Sequence, residues 1–144
     1  MSTNSPVWCV DSSVLLRVIL GDSPAASRWL EARKASGERL VGSRMLEVEV
    51  GRVLINRGFA VTDGDRFLSE FNIMDIDDGV IQQALSISER LSGADSIHVA
   101  TALVFDSPLV SLVTHDSQMA SAAQALGLPI VDPVTDDPNR GPVA

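Results

Sequence analysis

The sequence contains no tyrosine, one cysteine, one lysine and two histidines, and its net charge is −8. Proteins that hold nucleic acid by charge need clustered basic residues, and single-strand binders add aromatic rings on which bases stack. The composition argues against both, so a polyanionic substrate would need a metal ion or a basic partner chain to hold it. Cys9 alone allows no internal disulfide, which fits a reducing compartment, and so few His and Cys residues give zinc little support.

No apolar run approaches the roughly 18 residues of a membrane span, and the first residues, MSTNSPV, lack the basic and apolar regions of a secretory signal. We therefore expect a cytoplasmic protein without membrane contact. A hydrophobic fraction of 45% indicates a folded chain, and 144 residues suit one domain.

Short apolar stretches alternate with amphipathic ones along the chain, beginning with the wholly apolar run VWCV at 7–10. This alternation predicts an α/β fold of three layers (α/β/α) with a short central parallel sheet of four to five strands. Residues 1–131 form the predicted domain, and the proline- and aspartate-rich residues 132–144 a loose tail. The predicted strands are 7–10, 40–41, 73–76, 109–113 and 129–131. The first predicted helix begins after residues 12–13. The other predicted helices cover 25–35, 43–57, a segment from 62 or 63 through 71, 80–91, 95–105 and 116–126.

Four acidic residues stand out by their positions in this pattern: Asp11, Glu49, Asp95 and Asp116. Asp11 and Asp116 follow predicted strands, and carboxyl ends of parallel strands share one edge of the sheet, where ligands bind. Asp95 begins a helix, so capping is the alternative for it and for Asp116. A converging set of carboxylates needs a cation or raised pKa values, and oxygen-only ligands favour Mg²⁺ or Mn²⁺.

The helical period decides between two glutamates in the helix that begins near Ser43. Glu49 falls on the face with Met45 and Val53, whereas Glu47 falls on the solvent side. An inward glutamate needs a partner, and Arg52, three residues on, is the candidate, either as a simple ion pair or as support for a metal-site carboxylate.

Four segments in order resemble the successive motifs of PIN-domain ribonucleases, most closely in spacing the VapC-type toxins of toxin–antitoxin pairs. They cover nearly all of residues 7–131 and read VWCVDSSVLLRVI, LVGSRMLEVEVGRVL, GADSIHVATAL and VTHDSQMASAAQALGLPIV. On these motifs the resemblance places the family's acids at Asp11, Glu49, Asp95 and Asp116. It also places the small polar residues beside the site at Ser13 and Thr114.

The resemblance implies an endoribonuclease in which the four carboxylates bind Mg²⁺, with Mn²⁺ as an alternative, and activate water for attack on an RNA phosphodiester. Asp11 and Asp95 would be the principal ligands. It further implies a cognate VapB-type antitoxin that lies across the acidic crevice and places an arginine near the carboxylates, and a homodimer.

Other protein classes account for these residues less completely. An aspartyl phosphatase of the haloacid dehalogenase type expects Asp where Ser13 stands and a late lysine, and the only lysine is Lys34; a receiver domain lacks the same lysine. A PIN-fold module that binds RNA or protein with little catalysis is the remaining alternative. His98, three residues after Asp95, is interpreted as a core or rim histidine, and Cys9 as a buried hydrophobic residue.

Overall fold

A computed structural model describes residues 5–105 and 107–136 of the chain. Its centre is a five-stranded, all-parallel sheet in the order β3-β2-β1-β4-β5, which confirms the predicted α/β class. The strands are β1 Val7–Val10, β2 Arg39–Ser43, β3 Asn72–Met74, β4 Val110–Val113 and β5 Ile130–Val131.

Helices cover both faces of this sheet. They are α1 Ser12–Ile19, α2 Pro24–Ala35, α3 Met45–Asn56, α4 Asp65–Leu68, α5 Asp78–Leu85, α6 Gly93–Val104 and α7 Ser117–Ala125. Short 3-10 turns occupy Val61–Gly64 and Pro133–Asp136. Among the described residues, no helix combines the length and apolar character that crossing a membrane requires.

The central strand β1 is buried on both of its faces. Val7 and Cys9 belong to a core shared with α6 and α7, whereas Val10 belongs to the opposite core, shared with α1, α2 and α3. Because neighbours along a strand point to opposite faces, a strand covered on both sides must be apolar at every position. The three-layer architecture follows from this double burial.

Two predicted helices differ from the structure. The helix predicted at 80–91 ends at Leu85, with Ser86 as its C-cap, and the residues that follow are not helical. The single helix predicted after residue 62 is instead the 3-10 turn Val61–Gly64 followed by α4, and Phe71 lies beyond both.

The first residues of the segment expected to be a loose tail form the 3-10 turn Pro133–Asp136. Val134 is only 1% exposed and packs in the same core as α1 and α2. The packed region therefore extends past residue 131, while residues 137–144 lie outside the described part of the chain.

Candidate functional site

The carboxyl ends of the two central strands lie side by side and define the site. β1 pairs with β4 in a register that sets Val10 against Val113, and the Asp11 amide donates to the Val113 carbonyl (3.1 Å). Asp11 and the segment Thr114 to Asp116 therefore leave the sheet at the same edge, as the strand pattern predicts. This is the edge at which open parallel sheets bind ligands.

Asp11 is fixed by hydrogen bonds to both of its carboxylate oxygens, although it is only 1% exposed. Oδ1 accepts from the Ser13 amide (3.1 Å) and the Ser13 hydroxyl (2.7 Å), and Oδ2 accepts from the Thr114 hydroxyl (2.7 Å). Burial raises the pKa of Asp11, and these hydrogen bonds oppose that rise. Both residues that the motifs place beside the site thus contact its most buried carboxylate.

Asp116 is joined to the same network through its backbone. Its amide donates to the Thr114 hydroxyl (3.0 Å), and its own Oδ1 accepts from the Met119 amide (2.9 Å), which caps α7. The capping interpretation therefore holds for Asp116. Because the cap occupies one oxygen, the carboxylate is held in one orientation beside the site.

Asp95 is not a helix cap, which corrects the structural alternative considered for it. Ser92 caps α6, its hydroxyl accepting from the Asp95 amide (3.1 Å), so Asp95 lies within the first turn with its carboxylate free of that role. Burial raises the pKa of Asp95, and the charges of Asp116 and Glu49 raise it further. Asp95 is therefore within electrostatic reach of two other acids of the set.

Glu49 lies on α3 and contacts a residue that sequence reasoning set aside. The Nε2 of His98 is 2.5 Å from Glu49 Oε1. Burial raises the pKa of Glu49, but the hydrogen bond and charge of His98, with the Ser12 side chain, outweigh it and leave that pKa lowered. His98 is buried as expected, at 2% exposure, yet its partner is a carboxylate of the site.

Glu49 and Arg52 do not pair in the described part of the chain. Arg52 is exposed and donates to the Asn56 side chain (3.2 Å), and the ion pairs of the described residues join Glu49 to His98 and not to Arg52. The sequence carries only part of the signal for this partner. His98 and Asp95 share a helix face at a spacing of three, and a buried imidazole requires a hydrogen-bond partner.

The donor set fits a hard divalent cation bound through few direct protein ligands. All four side chains offer carboxylate oxygens, and the mutual repulsion that raises the pKa of Asp95 is the kind that a cation relieves. Within residues 5–105 and 107–136, however, no three acidic, imidazole or thiol groups lie close enough together to enclose an ion. Mg²⁺ accommodates this arrangement, since it keeps several waters and commonly takes only one or two carboxylates.

Cysteine chemistry contributes nothing here. Burial raises the pKa of the Cys9 thiol to about 12, and the charge of Asp11 adds to the effect. A thiol with that pKa is neither a nucleophile nor a metal ligand at neutral pH.

Comparison with known proteins agrees with this geometry. A model of the PIN domain family matches residues 8–125. Ribonuclease VapC35 of Mycobacterium tuberculosis is 33% identical over 134 residues, spanning 86% of this chain and 95% of the relative.

Solved structures share the fold at lower identity. The crystal structure of VapBC2 from Rickettsia felis bound to a promoter DNA fragment aligns with a TM-score of 0.71 at 13% identity, covering 88% of this chain and 98% of the other. A toxin–antitoxin complex from Klebsiella pneumoniae aligns with a TM-score of 0.69 at 21% identity, covering 90% and 98%.

Proposed function

Because this chain belongs to the PIN-domain family, we propose that it is a cytoplasmic, metal-dependent endoribonuclease and the toxin of a toxin–antitoxin pair. The observation that supports the proposal is that Asp11 and Asp116 leave β1 and β4 at one edge of the sheet, with Asp95 in electrostatic contact with Asp116 and Glu49. The activity in the name of the Mycobacterium tuberculosis relative supports the same reaction class.

The four carboxylates would have different roles, according to how firmly each one is held. Asp11, held at both oxygens, and Asp95, in the first turn of α6, would be the principal ligands of Mg²⁺ or Mn²⁺. Glu49 and Asp116 would complete the site and orient the attacking water. When bound, the ion would lower the pKa of a water and stabilise charge on the phosphate.

We assign no covalent role to Ser13 or Cys9. The Ser13 hydroxyl already donates to Asp11 and accepts from the His115 amide (2.9 Å), and the Cys9 thiol stays protonated. Hydrolysis would proceed by direct attack of water on the phosphodiester, with carboxylates and not a side-chain nucleophile at the reacting centre.

Cleavage of a total small-RNA pool by the purified chain tests the proposal. Reactions would contain Mg²⁺, Mn²⁺ or EDTA, and the protein would be the parent, Asp95→Asn, or the control Asp22→Asn, which removes the same charge from an exposed turn. We expect discrete fragments that require metal, disappear with Asp95→Asn and persist with Asp22→Asn. Fragments that persist with EDTA or with Asp95→Asn would contradict the assignment.

A basic antitoxin is the partner we propose. The acids at the strand ends would accept an arginine in bidentate, charge-assisted pairs, and two of the solved structures of this fold are described as toxin–antitoxin complexes or VapBC. Co-expression with the product of a neighbouring gene should yield a complex that co-purifies and cuts no RNA. A complex that still cleaves at the parent rate would refute this placement.

The second candidate function is a PIN-fold binding module with little catalysis. It is favoured by one observation, that no three ligand groups of the described residues are close enough to enclose an ion. RNA binding by a folded, metal-loaded protein without any cleavage would support it over the nuclease.

A further inference from the structure

His98 is a buried polar residue that the proposed chemistry does not use. It lies in the middle of α6, is 2% exposed, and is surrounded along the helix by buried apolar residues such as Val99 and Ala102. A buried imidazole without a partner is costly, so its hydrogen bond determines its role.

That hydrogen bond connects α6 to α3. An ionised carboxylate only accepts, so the Nε2–H of His98 donates to Glu49 Oε1. Glu49 is about one quarter exposed (28%), and its side chain has three rotatable bonds, whereas the His98 ring is held by helix packing. The rigid, buried partner therefore fixes the flexible, partly exposed one.

The ring also lies close to the rest of the acidic set. Its charge opposes the rise in pKa that burial causes at Asp11 and Asp95, and it contributes to the lowered pKa of Glu49. His98 and Asp95 are three residues apart on one helix, so the element that supplies Asp95 also supplies the hydrogen-bond partner of Glu49.

We propose that His98 is a positioning residue that holds the Glu49 carboxylate at the site through Nε2, and that cation affinity and turnover both depend on this bond. The inference rests on the proposed metal-dependent function. Partners that orient metal-binding carboxylates commonly change metal affinity or activity by about 10- to 100-fold when they are removed.

Two amide substitutions separate positioning from packing. In His98→Gln the side-chain nitrogen reaches about as far as Nε2, whereas in His98→Asn it falls short, and both place a polar amide in the same buried environment. Thr101→Val is the control, because Thr101 is equally buried on α6 and its hydroxyl donates only to the Ile97 carbonyl (2.8 Å) in the described structure.

The primary measurement is Mn²⁺ affinity of the RNA-free, full-length protein by electron paramagnetic resonance, with RNA turnover as the second. We expect His98→Asn to weaken Mn²⁺ binding about 10- to 100-fold, and His98→Gln and Thr101→Val to stay within a few-fold of the parent. Equal affinities for His98→Asn and His98→Gln would overturn the proposal.

A double-mutant cycle identifies the route of the effect. If His98 acts through Glu49, Glu49→Gln combined with His98→Asn should cut RNA no more slowly than Glu49→Gln alone. Fully additive losses would refute positioning. If the parent binds no Mn²⁺ and cuts no RNA, the proposed function itself fails; if the parent does both and His98→Asn matches it, only the present inference fails.

Discussion

Gly42→Ala should destabilise the protein because the space beside Gly42 is already filled. Gly42 is buried in β2, and a Cβ atom there would overlap Leu46 Cδ1 and lie 3.5 Å from both Leu46 Cγ and the Val10 carbonyl oxygen. Leu46 is 0% exposed and packs in the core with α1 and α2, so displacing its side chain also means displacing its core neighbours. Overpacking of this kind costs about 1–3 kcal/mol, which is the loss we expect in the free energy of unfolding.

A second substitution tests the cause. Leu46→Ala alone should cost about 2–5 kcal/mol through the cavity it leaves. In the double variant the methyl group added at position 42 would occupy part of that cavity, so the combined loss should fall short of the sum by about 0.5–3 kcal/mol. Leu46 lies three residues before Glu49 on α3, so Gly42→Ala should also slow RNA cleavage.

Urea unfolding followed by circular dichroism measures these free energies. The control is Gly93→Ala, where a Cβ meets nothing within 4 Å, and there we expect no loss or a gain of about 0.4–1 kcal/mol. The steric reasoning is refuted if Gly42→Ala unfolds at the parent's midpoint, or if the losses of the two single variants add fully.

The pKa of Asp95 is raised in the folded protein, so its contribution to stability is fully present below the unfolded-state pKa of about 3.9 and is lost as the pH rises through the folded-state pKa. Thermal melts of Asp95→Asn should therefore give a higher melting temperature than the parent at about pH 7 and the same one at about pH 3. A difference that does not change with pH would contradict this. Ser92→Ala should cost about 1 kcal/mol in urea unfolding by removing the α6 cap, whereas Ser92→Asn, which can still cap, should cost less; equal losses would rule out the cap as the cause. Val134→Ala should cost about 2 kcal/mol by the same assay, because Val134 is 1% exposed, and an unchanged midpoint would show that the turn after β5 adds nothing to the core.

An element could be predicted from the sequence where one physical requirement, such as burial on both faces, decides its pattern of apolar residues. β1 has to be apolar at every position because it is covered on both faces, and its end at Asp11 is therefore sharp. β4 is apolar except at Ser111, and it likewise ends at a polar residue, Thr114. Two parallel strands that end in polar residues place those residues together, which is why the site's location was predictable.

The end of α5 was not predictable from such a pattern. Ile87 and Leu91 continue the helical spacing of apolar residues, yet both pack against the core beneath α6 and α7 from a non-helical segment. Both side chains are partly buried although the segment is not helical. The apolar residues at these positions are therefore explained by tertiary contacts and not by a helical period. A spacing rule does not distinguish these two ways of burying the same side chains.

The partner of Glu49 illustrates a limit of a different kind. Arg52 is near in sequence, but a residue three positions along an exposed helix face points partly away from the core, and its side chain bonds Asn56 instead. His98 is 49 residues away and becomes the partner only once α3 and α6 pack together. Glu49 and His98 each presented an inward-facing polar group without a local partner, and burial allows such groups only when they are paired. Pairing buried polar groups that lie on different elements therefore gives information that motif spacing alone does not. At this site it identifies the contact between His98 and Glu49, on which the orientation of Glu49 depends.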